Sequence, residues 1–179
     1  MAILGAVQGD GGVDAGLLVL RVAIGIVMVA HGYNHIFRGG KIKGTAGWFE
    51  SLGMKPGILH AWLASITELG AGLMLILGLV TPLAAAGVVG TMLVALITNH
   101  LRNGFFIFRP GEGYEYVLTL ILVAVAIGAL GAGGWSVDHA LGIGEDLIGW
   151  RGLAIAAGLG GGGGLALLAV FYRPPAKQG

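Results

Sequence analysis

Residues 17–37 read LLVLRVAIGIVMVAHGYNHIF, and this stretch decides the class of fold. It is long enough to cross a bilayer, which takes about 20 apolar residues in a helix. Yet it carries Arg21, His31, Asn34 and His35. A charged side chain in hydrocarbon costs several kcal/mol, so these groups are expected to face a protein interior or a wet cavity. On a helix, Arg21, Gly25, Met28, Gly32 and His35 recur at spacings of 4, 3, 4 and 3 and share one stripe, with His31 flanking it. The run therefore offers its neighbours a seam of small and ionisable residues, and the rest of the chain must supply partners for that seam.

The composition of the 179 residues agrees with a membrane protein of one domain. Hydrophobic residues make up 56% and charged residues 11%, with a mean hydropathy of +0.88, where soluble domains carry about 25% charged residues. The 36 glycines suit close packing of membrane helices. The chain has no cysteine, which excludes a disulfide, a thiolate nucleophile, a zinc-thiolate site and an iron–sulfur cluster within it. A net charge of +1 and the lack of a basic aromatic patch argue against nucleic acid as a partner. Met1 to Val13 shows no basic n-region and no apolar core, so the N-terminus is expected to remain as a short extracytoplasmic tail, residues 1–13.

Five segments approach spanning length, at about 15–37, 57–80, 82–101, 114–131 and 150–172. The second and third meet at Thr81-Pro82, which makes them antiparallel neighbours. Charge sorts the connections. Arg38, Lys41, Lys43, Lys55, Arg102, Arg109, Arg173 and Lys177 fall on one side, whereas the other has Arg151 with Asp10, Asp14, Asp138, Glu145 and Asp146. The positive-inside rule then places the N-terminus outside and the C-terminus in the cytoplasm, in the bacterial plasma membrane. Between the first two spans, TAGWFESLGM is a short amphipathic piece whose Trp48, Phe49 and Leu52 suit the membrane surface, either over the bundle or as an ordinary interfacial anchor. The fifth span holds Gly160 to Gly164, with small-xxx-small pairs Gly158/Gly162 and Gly160/Gly164 fit for close helix contact. That face can meet either its own bundle or another subunit, and a subunit interface is the favoured use. Gly25, Gly32 and Gly72 are expected to serve helix packing in the same way.

The polar residues fall into two groups by depth. At about 1.5 Å rise per residue, Arg21 lies roughly 10 Å from the outer surface, Glu68 roughly 18 Å and His31 roughly 25 Å. A carboxylate at mid-membrane must be protonated or paired, and Arg21 is the first-choice partner for Glu68. The alternative use of that pair is only to lock two helices together. Nearer the cytoplasmic ends, His31, Asn34 and His35 are joined by Asn99, His100, Arg102 and Asn103, and by Glu112 and Glu115 at the start of the fourth span. His31 and His35, four residues apart, have the spacing of paired metal or haem ligands. Without cysteine or an HExxH pattern, haem or metal is disfavoured, and hydrogen bonds to a neighbouring helix, a quinone head group or a proton path are the better use.

LLVLRVAIGIVMVAHGYNHIF, TELGAGLMLILGLVTPLAAAG, ITNHLRNGFF and GYEYVLTLILVAVAIG occur in that order, and together they resemble the DoxX family of small bacterial membrane proteins from about Leu17 to Leu141. The matching residues are Arg21, His31, Gly32, Glu68, Asn103, Gly104, Tyr114 and Glu115. The resemblance implies an all-α integral membrane protein, a DoxX-like four-helix transmembrane bundle over residues 14–141. To it are added an acidic loop end, a fifth, glycine-rich transmembrane helix and a short cytoplasmic tail over 142–179. The family is related to the DoxD subunit of thiosulfate:quinone oxidoreductase and more distantly to surfeit-locus cargo receptors. Some members are linked to a membrane oxidoreductase complex with superoxide dismutase and a sulfurtransferase. The acidic loop Trp135 to Gly149 and the glycine-rich fifth helix depart from the family pattern.

The resemblance thus implies a non-catalytic or quinone-contacting subunit of a membrane redox assembly, more an accessory subunit than an independent enzyme. Protein partners in the bilayer accompany that reading. The candidate ligand-binding cluster is Arg21, His31, Asn34, His35, Glu68, Asn99, His100, Asn103, Tyr114 and Glu115. Two rival readings use the same residues, a small transporter or lipid-handling protein and a purely structural accessory subunit.

Overall fold

The computed structural model describes residues 10–175, so the tail before Asp10 and Lys177 lie outside the described residues. Those residues form helices, with one isolated antiparallel bridge between Met54 and Tyr172. Helix α1 runs Gly11–Phe37, α2 Lys41–Ser51, α3 Gly57–Leu77, α4 Thr81–Asn103, α5 Glu115–Leu130 and α6 Trp150–Phe171. Among the described residues α1, α3, α4 and α6 are long and apolar enough to cross a membrane. At 16 residues α5 is shorter, about 24 Å against a hydrocarbon core of about 30 Å. The chain is an all-α, multi-pass membrane bundle.

Local chemistry sets the helix ends. Asp10 caps α1 by accepting from the amides of Gly12 and Val13. Gly78 ends α3 in the left-handed conformation at φ +66°, and Pro82 opens α4, where its missing amide leaves nothing unsatisfied. Two helices also loosen into π-helical stretches, Leu96–His100 in α4 and Ala154–Leu159 in α6. Such stretches are rare and favour functional sites.

Helix α4 is the hub. It packs against α3, α5 and α6, while α1 lies along α3. Two glycine contacts fix the α1–α3 register. A Cβ on Gly25 would lie 2.7 Å from the Gly72 carbonyl oxygen, and one on Gly72 would lie 2.7 Å from that of Gly25. Further along, a Cβ on Gly32 would lie 2.9 Å from the Ser65 carbonyl oxygen. The bundle core gathers Met28, Leu75, Val88, Leu120, Ile127 and Ala156. A smaller cluster of Phe49, Met54, Ala61, Val94 and Leu168 sits at the end that carries α2. The two ends are called below the hairpin end, where α3 turns into α4, and the α2 end.

Helix α2 contains most of the amphipathic piece. It buries Ala46 and Phe49 and leaves Trp48 exposed, so it covers the α2 end of the bundle. Backbone bonds close that end further, since the Arg173 amide donates to the Gly53 carbonyl at 2.9 Å.

Candidate functional site

The polar residues of the first span go to different places. Arg21 is fully buried at the hairpin end. Its guanidinium donates to the carbonyls of Leu75 at 2.9 Å, Ile76 at 3.3 Å and Trp135 at 2.7 Å, while Nε has no partner. Leu75 and Ile76 are in the last turn of α3, at the negative end of its dipole, and the Leu75 carbonyl also accepts from the Gly78 amide at 3.1 Å. On the other side of the turn, Asp138 accepts from the amides of Val80 at 2.6 Å and Thr81 at 2.9 Å. It thereby caps α4, which has no capping side chain of its own. Arg21 and Asp138 interact electrostatically. Asp14, also buried, accepts from the Gly134 amide at 2.7 Å and ties the loop before α6 to α1.

The expected Arg21–Glu68 pair is therefore not formed, and side-chain direction explains why. Side chains lean toward the N-terminus of their own helix. In the antiparallel α1–α3 pair, Arg21 leans to the hairpin end and Glu68 to the α2 end, so they diverge. Glu68 converges instead with His35, whose side chain leans back along α1. The His35 Nε2 to Glu68 Oε2 distance is 3.3 Å. Glu68 is 3% exposed, and its Oε2 has no aligned hydrogen bond.

The His35–Glu68 pair faces a cavity of about 520 Å³ lined by all six helices. Thr67, Thr91 and Thr98 add hydroxyls, while Trp48, Phe49, Met54 and Tyr116 supply broad apolar walls. Leu63, Leu83 and Leu159 also line it and are at least 40% exposed. The cavity is thus mostly apolar, with an exposed leucine flank and a few polar groups inside. His31 is on its rim, exposed, with Nδ1 2.8 Å from the Val27 carbonyl oxygen and its ring stacked on Tyr116 at 6.4 Å. Among the described residues no group of three or more His, Asp or Glu is arranged to hold a metal.

The remaining candidates divide again. Asn103 donates to the carbonyls of Asn99, Gly111 and Glu112. His100 Nδ1 lies 2.9 Å from the Glu112 carbonyl oxygen, and Glu115 accepts from the Ile107 amide at 3.1 Å. Tyr114 meets Phe105 edge-on at 5.5 Å. These contacts hold the loop 104–114 in shape, and of this group only His100 also lines the cavity, together with Glu112. Asn34 is exposed on α1 and does not join a buried cluster. The group expected near the cytoplasmic ends is thus divided, with His35 on Glu68, His31 on the cavity rim and Asn99, His100 and Asn103 at the loop, because equal depth does not put side chains on facing sides.

The glycine run of α6 is also divided. Gly160 and Gly164 pack on α4 within this chain: a Cβ on Gly160 would lie 2.5 Å from the Ala86 carbonyl oxygen, and one on Gly164 would lie 3.0 Å from that of Gly90. Gly158 and Gly162 have open space where a Cβ would be. The pair Gly160/Gly164 thus builds this bundle and not a subunit interface.

Sequence reading missed His60, Asp14 and Asp138. His60 is 2% exposed and lines the cavity, but a lone histidine near a helix start carries no pattern. For Asp138 a signal existed. Helix α4 opens at Val80-Thr81-Pro82 without a side-chain cap of its own, and a carboxylate from a loop at that depth is one way to satisfy its first amides.

Residues 16–101 match the model of the DoxX family. Over 114 residues the chain is 31% identical to "Putative oxidoreductase CatD" of Bacillus subtilis (strain 168), covering 64% of this chain and 79% of that protein. No solved structure matches the chain.

Proposed function

The chain belongs to the DoxX family, and from that premise we propose that it is a subunit of a membrane oxidoreductase assembly that holds a quinone-type ring in its central cavity. The observation that carries the reading is the His35–Glu68 pair, a half-buried imidazole 3.3 Å from a buried carboxylate against a cavity of about 520 Å³ with an apolar flank. That size lies within the range of small-molecule sites, which are mostly apolar with a few placed polar groups. The donor set fits the ring. An imidazole N–H can donate to a carbonyl oxygen, and a carboxylate can accept from a hydroxyl. The unaligned Oε2 of Glu68 leaves room for such a bond. A quinone bound there would carry electrons. The chain's own part is to bind the ring, exclude water and hold a proton at His35 or Glu68. The resemblance to a relative named as an oxidoreductase supports a redox setting.

We place the subunit in the bacterial plasma membrane with its N-terminus outside, on the charge asymmetry of the loops. The test is purification in mild detergent, with extraction of bound quinone and titration with a short-tailed quinone. Expected are co-purifying quinone and saturable binding that falls at least tenfold in Glu68→Gln, at unchanged helix content and abundance. Absence of both retained and added quinone would overturn the reading. The exposed leucines of the cavity flank favour lipid handling as the second reading, and phospholipid retained in place of quinone would select it.

A further inference from the structure

Eight residues before Glu68 on α3, His60 lines the same cavity at the α2 end. It is 2% exposed, and neither ring nitrogen has a hydrogen-bond partner. The Lys55 carbonyl acts on the ring but without hydrogen-bond geometry to either nitrogen. Phe171 meets the ring edge-on at 5.0 Å and Phe49 lies 6.3 Å away. Neither aromatic ring satisfies the nitrogens. A buried imidazole left this way is costly unless something fills its donor and acceptor sites.

Positions i and i+8 lie on one side of a helix, about 12 Å apart along its axis. Both side chains lean the same way, so that separation carries over to their tips. A six-membered ring with oxygen atoms at opposite corners, hydrogen-bonded at both, bridges roughly 11 Å between partner atoms. The cavity also has flat walls. His35 stacks on Trp48 at 6.3 Å and 23°, and Trp48 meets Phe49 at 5.0 Å, surfaces on which a planar ring packs well.

We propose that the cavity is a two-pole ring site, with His60 at one pole and His35–Glu68 at the other. It selects a planar ring bearing oxygen groups at opposite corners, diol or dione, over a ring with one such group. The inference rests on the quinone reading and adds a residue and a selectivity to it. By choice of tautomer the His60 ring donates to a carbonyl or accepts from a hydroxyl, so the same residue fits both forms.

The test is equilibrium binding to the purified full chain, read by tryptophan fluorescence. The two ligands are a short-tailed 1,4-hydroquinone and the same molecule lacking one hydroxyl. The diol is expected to bind wild type about tenfold more tightly, the worth of one net hydrogen bond. In His60→Phe and His60→Leu the two ligands are expected to bind alike. Equal binding of both ligands by wild type, or a preference that survives in the His60 variants, overturns the second pole and leaves the quinone reading standing. Failure of wild type to bind either ligand or the dione overturns both. Should neither apolar variant fold, ring ¹⁵N shifts of His60, assigned with His60→Asn, decide. Movement on adding the diol supports the pole and its absence overturns it.

Discussion

The two ends of this bundle treat buried polar groups in opposite ways. At the hairpin end Arg21, Asp14 and Asp138 are tied mainly to backbone, which leaves the Nε of Arg21 and the hydroxyl of Thr81 as the buried atoms without partners there. Toward the α2 end His60 and Glu68 are just as buried, yet both nitrogens of one and an oxygen of the other lack aligned partners. The first arrangement completes a fold, because a three-residue turn between two helices leaves orphan carbonyls on one side and orphan amides on the other. The second leaves hydrogen-bonding capacity facing a cavity. Ionisable side chains within a membrane span are therefore not uniformly functional, and where their bonds go distinguishes the two uses.

The largest effect is expected from breaking the hairpin end. Asp138→Ala leaves two amides at the start of α4 without their carboxylate acceptor. Leaving a buried donor unsatisfied costs about 1–3 kcal/mol, and two amides are stranded here, so the variant is expected to lose folded protein steeply in thermal or detergent unfolding. Arg21→Leu strands carbonyls of Ile76 and Trp135 and should cost a similar amount, and the double variant less than the two losses added, since the two charges interact across the turn. Strict additivity would show that the two residues act independently.

A smaller effect is expected from the helix contacts. Gly72→Leu would drive a side chain into the Gly25 carbonyl and Val29, and overpacking of this kind typically costs about 1–3 kcal/mol. Gly162→Leu meets open space and should leave the unfolding of the isolated bundle unchanged. If Gly162→Leu instead dissociates a larger assembly in native gels, the open face of α6 is where another subunit docks.

Much of the fold could be read from the chain because its signals are local. The long apolar runs, the Thr81-Pro82 restart and the left-handed Gly78 are set by residues next to one another, and the helices fall close to the expected spans. The site was less legible. Placing Glu68 between Arg21 and His31 in depth was sound counting, but the partner was decided by the direction in which side chains lean on antiparallel helices. Asn99 and Asn103 join His100, but they and Tyr114 and Glu115 do not reach His31 or His35, for a related reason. A polar residue at a helix end can be consumed by its own loop, as Asn103 is by three carbonyls, and sequence does not say which way it turns. His60 had no pattern to mark it, since burial without a partner exists only in three dimensions.

The smallest expected effect is at the orphaned histidine, and its sign matters more than its size. In the ligand-free protein His60→Leu removes two unpartnered nitrogens from a site already walled by Phe49 and Phe171. Replacing a buried unsatisfied polar group with an apolar one of similar shape is close to neutral or stabilising, so unfolding should shift by less than about 1 kcal/mol, toward greater stability. A loss comparable to that of Asp138→Ala would mean that His60 has a structural partner and belongs with Arg21 and Asp138. A neutral or stabilising change means that the folded state itself gives no reason for a polar side chain at this position, which leaves whatever enters the cavity to supply one.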